Sequence, residues 1–533
     1  MRWTCCCWFW AGWLLPATMA LGGDGDWPTH LDGPCDPYAV GRETPKLVTP
    51  RWVGEPGVEA VVVLSTDDLR QPAKHEQFLR PILARLEQID GRAPVSLMAN
   101  RIDPGHPQLQ AWLRQGASLE AHTFDHPCPL LQGGDLAVAK RTFDRSVDLM
   151  TTVAGNRPVA FRMPCCDSMS SVSPRFFTEI FGKTTPSGNF LAVDSSVFLL
   201  YTAADGELPR ELVLDAGGQQ RFRKYVPTDR IMANLIEDYP YPYVIDRLCW
   251  EIPALMPSDW DAQHRNGVCS PATVADLKAA VDATVVKQGV FALCFHPHGW
   301  IRNDQIVEMI DHAVAVHGRK VKFLTFREVY DRLTKHFLGG RPLRAADGRD
   351  NGVRVFDQDG DGHMDAVFDA GKAQPARGRL VDLDGDGVRE WIVAETGEVR
   401  QRLPDGSPEA FIRLPFHLPP GTSLVDQQGR DAGLRFVDVD EDGRLDVVFS
   451  NARGYCVHLL TSMEAGWSRG VLSGKRGQQH ADAELPPIVR ADGTNNGAWF
   501  QNRQMWLQNE DTGRKLPDHV FHRRFSEMLG GSR

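Results

Sequence analysis

Two things are scarce in this 533-residue chain. Beyond the first twenty residues, no apolar run is long enough to cross a bilayer. Positive charge is also outweighed, with 59 Lys and Arg against 69 Asp and Glu and a formal net charge of -10. That balance argues against a nucleic-acid partner, because such proteins present a basic face. Helical periodicity then fades after about Phe337 and returns only in the last segment. What is plentiful is core material. Hydrophobic residues make up 42% of the chain, and its length suits two or three domains.

The first residues, MRWTCCCWFWAGWLLPATMA, carry one arginine, an apolar run from about Trp3 to Leu15, and small residues at Thr18 and Ala20. They read as a secretory signal peptide cut after Ala20, with an uncleaved anchor as the alternative. Cys5, Cys6 and Cys7 precede the apolar run, whereas a lipid-bearing cysteine would follow it, so lipidation is not expected. Cleavage leaves eight of the 11 cysteines and no membrane span. An exported chain, periplasmic or extracellular, permits disulfides, but sequence alone does not pair them.

From about Glu59 to Tyr330 apolar runs alternate with helical patterns. VVVLST (61–66) precedes HEQFLRPILARLEQI, PVSLMA (94–99) precedes HPQLQAWLRQG, and ASLEAHT (117–123) precedes LAVAKRTFDRSVDLM. VAFRMP (159–164), GVFALCFHP (289–297) and VKFLTF (321–326) continue the series. Such alternation predicts an α/β fold with a parallel sheet, closed as a barrel or open. Then FLGGRPLRAADGRDNG, polar and glycine-rich, reads as a linker. The expected organisation is a signal peptide at 1–20, an α/β domain at 21–340 and a mainly β repeat module at 350–533.

Three units in that module look alike: VFDQDGDGHMDAVF, LVDLDGDGVREWIV and FVDVDEDGRLDVVF. Each pairs two short strands around an acidic loop, and such self-similarity signals repeats. Aligned on the first aspartate, carboxylates fall at positions one, three, five and nine. They are Asp357, Asp359, Asp361 and Asp365, then Asp382, Asp384, Asp386 and Glu390, then Asp438, Asp440, Asp442 and Asp446. A glycine follows position five each time and permits a sharp turn. Alternate carboxylates on a tight loop suit a hard cation, Ca²⁺, and three copies disfavour a merely solvated acidic turn. An EF-hand is excluded, since it needs a glutamate at position twelve and flanking helices. The units resemble the calcium-binding FG-GAP/VCBS repeats of propeller-like extracellular modules.

The run VVVLST ends in two adjacent carboxylates, Asp67 and Asp68. In parallel α/β barrels the chemistry sits on the loops that follow the strands. Other strand ends here carry His122 and His126 in AHTFDHPC, Arg162 and Pro164 in FRMP, and His296 and His298 in CFHPHGW, while Asp259 and Trp260 lie in MPSDWDAQ. One carboxylate and two imidazoles can hold Zn²⁺ or another divalent transition metal. The neighbouring carboxylate can then take a proton from water. Each element alone has a plainer reading as a helix cap, a hydrogen-bonded histidine or a salt bridge. Their joint occurrence at successive strand ends favours a site.

The set resembles the polysaccharide deacetylases, the NodB-homology carbohydrate esterases, over about residues 55 to 335. STDD matches the first motif, HTFDH the second, RMP the third, and CFHPHGW resembles the last. The resemblance implies a distorted (β/α) barrel and metal-dependent hydrolysis of acetylated glycans. Carried over by position, Asp67 is the base, Asp68, His122 and His126 bind metal, Arg162 orients Asp67, and His296 is the general acid. Asp259 is the first choice and Asp194 the second for the partner of His296, and Trp260 is expected beside the substrate. Cys165 stands where an aromatic residue is usual. Cys128 is expected to pair with Cys165 or Cys166. Two rival readings remain. One is a hydrolase of a non-sugar C–N amide at the same site, and the other a catalytically inactive, calcium-dependent glycan-binding or adhesion protein.

Overall fold

The computed structural model describes Tyr38 and residues 40–530, except 132, 168–171, 228–231, 233, 359, 369–377, 403–410 and 478–483. The expected signal peptide and Asp359 lie outside the described residues.

The valine run at residue 61 forms β1 (Ala60–Leu69), buried along nearly its whole length. β-Branched residues without polar alternation suit a strand covered on both faces, as in a parallel sheet. The strands that follow are β2 (Val95–Ala99), β3 (Ser118–Ala121), β4 (Ala160–Phe161), β5 (Val193–Asp194) and β6 (Phe198–Leu200). Next come β7 (Leu235–Glu237), β8 (Tyr243–Ile245), β9 (Cys249–Glu251), β10 (Ala254–Leu255), β11 (Val290–Phe295) and β12 (Val321–Phe323). Their order is β7-β6-β10-β11-β1-β2-β3-β4-β5-β9-β8, with β12 also paired to β1. All pairs are parallel except β8 with β9. The sheet curls into a half-barrel. Helices Pro72–Asp90, Pro107–Gln115, Leu136–Thr152, Pro271–Lys287 and Asn303–His317 return the chain between strands. Gly116 ends the second of these helices at φ 100°, where an L side chain is strained. Among the described residues, no helix is long and apolar enough to cross a membrane.

Residues of a strand face alternate sides, and β1 shows it. Val62 and Leu64 pack outward with Leu79, Ile82, Leu83 and Trp112 of the returning helices. Val61 and Val63 face inward, where Met98, Ala160, Val193 and Ala292 meet Trp52, Phe326 and Leu333. This inner layer fills one end of the half-barrel, and Ser65 and Asp67 continue the same face toward the other end.

The stretch read as a linker is seated rather than free. Arg344 is buried and donates to the carbonyls of Phe181 (2.9 Å), Leu191 (3.0 Å) and Gly182 (3.2 Å). Among the described residues the chain then forms four small antiparallel sheets. The first pairs β13 (Val353–Phe356) with β14 (Asp365–Phe368). The second holds β15 (Gly378–Val381), β16 (Glu390–Val393), β17 (Glu398–Arg402) and β18 (Phe411–His417). The third holds β19 (Leu434–Val437), β20 (Asp446–Ser450), β21 (Gly454–Leu459) and β22 (Arg469–Lys475). The last holds β23 (Ala498–Gln501), β24 (Gln504–Leu507) and β25 (Phe521–Arg524). The acidic loops join β13 to β14, β15 to β16, and β19 to β20.

A second recurrent loop precedes β13, β19 and β23. It reads GRDNG at Gly348–Gly352, GRDAG at Gly429–Gly433 and GTNNG at Gly493–Gly497. In each, the central Asp or Asn accepts from the last glycine's N–H: Asp350 at 2.9 Å, Asp431 at 2.8 Å and Asn495 at 2.8 Å. Such side-chain-to-backbone bonds fix a turn ahead of each strand.

Candidate active site

Adjacent strand residues normally face opposite sides, so Asp67 and Asp68 should diverge. They do not. The β1–β2 register shifts between Thr66 and Leu69, and Asp68 adopts φ 63°. This irregularity turns both carboxylates toward the mouth of the half-barrel. Thr123 (φ 55°) and His126 (φ 58°) are also left-handed at the end of β3. Such conformations cost of order 1–3 kcal/mol each and cluster where side chains must be aimed.

The structure brings Asp68, His122 and His126 together, with ligand atoms all within 4.8 Å of one another. His126 Nε2 is 3.0 Å from Asp68 Oδ1, and His122 Nε2 is 4.0 Å from it. His122 donates from Nδ1 to the Arg162 carbonyl at 2.8 Å, which leaves the Nε2 lone pair facing Asp68. Burial pushes the His122 pKa down to about 4, so that lone pair is free at neutral pH. Asn100 holds the loop by donating to the carbonyls of His122 (2.5 Å) and Thr123 (3.0 Å). Asp68 Oδ1 is buried and lacks a well-aligned hydrogen-bond donor, with Arg70 Nη2 3.5 Å away. A carboxylate oxygen held between two imidazoles fits a divalent cation of the zinc type.

Asp67 sits behind this trio. Its Oδ1 accepts from Arg162 Nη1 at 3.1 Å. The guanidinium is fully buried and also donates to Ser65 Oγ (2.7 Å), Ser195 O (2.9 Å) and Ser195 Oγ (2.9 Å). Burial alone would raise the Asp67 pKa, but Arg162, with His122 and His296 next, outweighs it and holds the carboxyl below its usual range. Cys294 donates its thiol to Asp67 Oδ2 at 3.3 Å.

Across the mouth, His296 follows β11. Its Nδ1 lies 2.7 Å from Asp259 Oδ1, and its backbone N–H donates to Asp259 Oδ2 at 2.8 Å. Burial would lower the His296 pKa, yet the Asp259 carboxylate prevails and pushes it up to about 9. Asp194, the second choice, stands elsewhere and accepts from Ser196 N (3.2 Å) and Oγ (2.8 Å). Trp260 lies in the first turn of the Asp259–Asn266 helix, and its ring meets His264 edge-on at 4.4 Å.

Sequence analysis placed His298 at a strand end without a role, and it missed Lys74 and Trp300. His298 Nε2 is 3.0 Å from Asp68 Oδ2, and Lys74 Nζ is 3.0 Å from His298 Nδ1. Trp300 packs edge-on against both His296 and His298, each at 4.9 Å. The spacing HPHGW carried that signal. Ser65 and Ser195, which cradle Arg162, left none. The expected disulfide is present as Cys128–Cys165, beside His126.

In the acidic loops the carboxylates divide. Asp382, Asp384 and Glu390 converge, as do Asp438, Asp440 and Asp446, each trio within 4.8 Å. Asp384 Oδ1, Glu390 Oε1 and Asp440 Oδ1 are buried without hydrogen-bond partners. The fifth-position residues turn back instead. Asp361, Asp386 and Asp442 accept the N–H groups of His363 (2.7 Å), Val388 (2.7 Å) and Arg444 (2.9 Å). In the first loop Asp357 accepts from Gly360 (2.7 Å) and Gly362 (2.9 Å), while Asp365 accepts from Arg51 at 3.1 Å.

No protein-family model matches the chain. No curated protein matches it either. Among solved structures, a Mycobacterium smegmatis protein named as a polysaccharide deacetylase aligns at 15% identity and a TM-score of 0.34, over 54% of this chain and 96% of its own. Puue allantoinase aligns at 11% identity and 0.35, over 53% and 93%. The catalytic domain of a peptidoglycan N-acetylglucosamine deacetylase from Eubacterium rectale aligns at 12% identity and 0.28, over 51% and 90%.

Proposed function

We propose that the chain is an exported, metal-dependent hydrolase that removes acetyl groups from N- or O-acetylated glycans. The observation that carries this reading is the convergence of Asp68, His122 and His126 beside the Arg162-bound Asp67, with His296 on Asp259 across the mouth. The motif resemblance supplies the substrate class. The Cys128–Cys165 disulfide suits an oxidising compartment outside the cytoplasm.

Asp68, His122 and His126 would hold the metal, which when bound supplies Lewis acidity toward an acyl oxygen and toward water. Asp67 takes the proton of the attacking water. Arg162 keeps Asp67 ionised and fixes its orientation. His296, charged through Asp259, gives a proton to the departing amine or alcohol. Trp260 and Trp300 offer apolar walls for a sugar face.

Acetate release from a panel of acetylated glycans and small amides, by the full chain loaded with Zn²⁺, tests the reading. Release from glycans, lost in Asp68→Ala together with bound metal, supports it. Release from amides alone moves the substrate class, and no release from metal-loaded protein overturns the activity.

The rate should fall on the alkaline side as His296 loses its proton. Its pKa is raised, so the acid form persists below about 9 and vanishes above. A bound cation lowers that value, so the limb should lie at or below about pH 9. Asp259→Asn should move the limb toward more acidic pH. A limb unmoved by that change would remove His296 from the role.

We further propose that the acidic loops bind Ca²⁺ and that the four sheets form a partial, propeller-like module. Burial, then neighbouring carboxylates, push Glu390 up to about 7 and Asp446 up to about 6. A carboxyl whose folded pKa is raised gives stability that is full below its unfolded pKa and lost as pH rises through the folded one. Calcium-free protein should therefore lose stability between about pH 4 and pH 7, and saturating Ca²⁺ should flatten that slope. Melting curves at several pH values, with calcium or with chelator, check this.

A further inference from the structure

We propose that Asp282, His312 and His317 form a second transition-metal site, taking Zn²⁺ or a similar borderline divalent cation. Asp282 lies in the Pro271–Lys287 helix, and both histidines lie in the Asn303–His317 helix. His312 Nε2 is 2.8 Å and His317 Nε2 is 2.6 Å from the same oxygen, Asp282 Oδ1. The three ligand atoms lie within 4.8 Å of one another.

Donor chemistry argues for a transition metal over calcium. Two imidazole nitrogens and one carboxylate oxygen are a borderline set, whereas hard cations prefer oxygen alone. Metal–ligand bonds of about 2.0–2.1 Å place tetrahedral ligands about 3.3 Å apart. The two imidazole nitrogens thus need to draw back from Asp282 Oδ1 by only about 0.5 and 0.7 Å. The side chains have room for that, being 15–22% exposed, and the same opening admits the ion and a fourth ligand from solvent. Competition is also weak. Among the described residues, Asp282 has no ion-pair partner besides these two histidines. Asp365 in the first acidic loop, by contrast, is already occupied by Arg51.

The plain alternative is a hydrogen-bonded trio in which both rings carry their proton on Nε2. It accounts for the two short distances but points no imidazole lone pair at the centre, so the two readings differ in what they bind.

The site is remote from the chemistry. The Asp282 helix runs toward the start of β11, and His317 closes the helix that leads to β12. His296 and His298 follow the opposite end of β11. The metal would therefore clip two outer helices together and would not take part in hydrolysis.

The probe is Zn²⁺ with the full chain, Ca²⁺ in excess to fill the acidic loops, and zinc bound at equilibrium as the readout. The pair His122→Gln and His126→Gln removes the active-site trio, so this result does not depend on the proposed activity. That variant should still bind one zinc per chain. Adding His312→Gln and His317→Gln should remove it, while those two changes alone should leave acetate release unchanged. Cu²⁺ substituted into the active-site variant should show electron-spin coupling to two nitrogens. Asp282→Asn repeats the test with a smaller change, should the paired histidine variant fail to fold. No zinc on the folded active-site variant, or zinc that survives all four histidine changes, would overturn the site.

Discussion

Asp67→Asn should lower turnover by about 10²–10⁴-fold, the usual worth of a positioned general base, and leave metal binding nearly unchanged. The amide matches the carboxylate in shape but cannot accept a proton. Arg162 keeps its bonds to Ser65 and Ser195, so the buried guanidinium is not stranded. The metal trio loses no ligand, because Asp68 is the carboxylate among His122 and His126. The effect should fall on kcat with little change in KM, since a proton moves only during reaction. The wild-type acid limb should also lie low, because Arg162 holds the Asp67 pKa below the usual carboxylate range. Stoichiometric zinc and a near-native melting temperature must accompany the loss. Turnover within tenfold of wild type would show that another group is the base, with His298, at 3.0 Å from Asp68, the next to test.

The site was legible where residue type and order carry the chemistry. STDD, HTFDH, RMP and CFHPHGW named the residues that the fold gathers. β1 was legible from its valine run. The segment between Val193 and Leu255 was not, because strands of two or three residues show no period. The Pro271–Lys287 helix was missed for a different reason. It is buried on most sides, from Val274 to Val285, and so lacks the polar stripe that marks an amphipathic helix. The register shift that turns Asp68 beside Asp67 is a tertiary outcome, since nothing in TDDL announces it. The recurrent turns GRDNG, GRDAG and GTNNG share only their outer glycines, and the change of the central Asp to Asn leaves a weak pattern in the sequence.

Arg175→Met should destabilise the protein by roughly 3–5 kcal/mol, the range for breaking one partner of a buried ion pair. Arg175 is 3% exposed and Glu510 is 6% exposed. The guanidinium donates from Nε and Nη2 to the two Glu510 oxygens at 3.0 and 2.8 Å. From Nη1 it reaches Thr494 Oγ1 (2.8 Å) and the Asn495 carbonyl (2.7 Å). These bonds join residues more than 300 apart in sequence and tie the last sheet to the half-barrel. The contact is close as well as charged. Gly497 sits at φ 85°, and a Cβ there would lie 2.1 Å from the Gln508 carbonyl and 3.0 Å from Arg175 Cβ. Trp499 and Trp506 share the barrel's outer core, with Trp499 5.3 Å from the Tyr38 ring. Losing Arg175 strands Glu510 with Arg490 at 2.9 Å as its remaining cation. The double variant Arg175→Met, Glu510→Gln should therefore recover part of the loss, since no buried carboxylate is left short of a partner. Urea unfolding of wild type, both single variants and the double variant measures that coupling. A single-variant cost under about 1 kcal/mol would show that apolar packing around Trp499 holds the module without this ion pair.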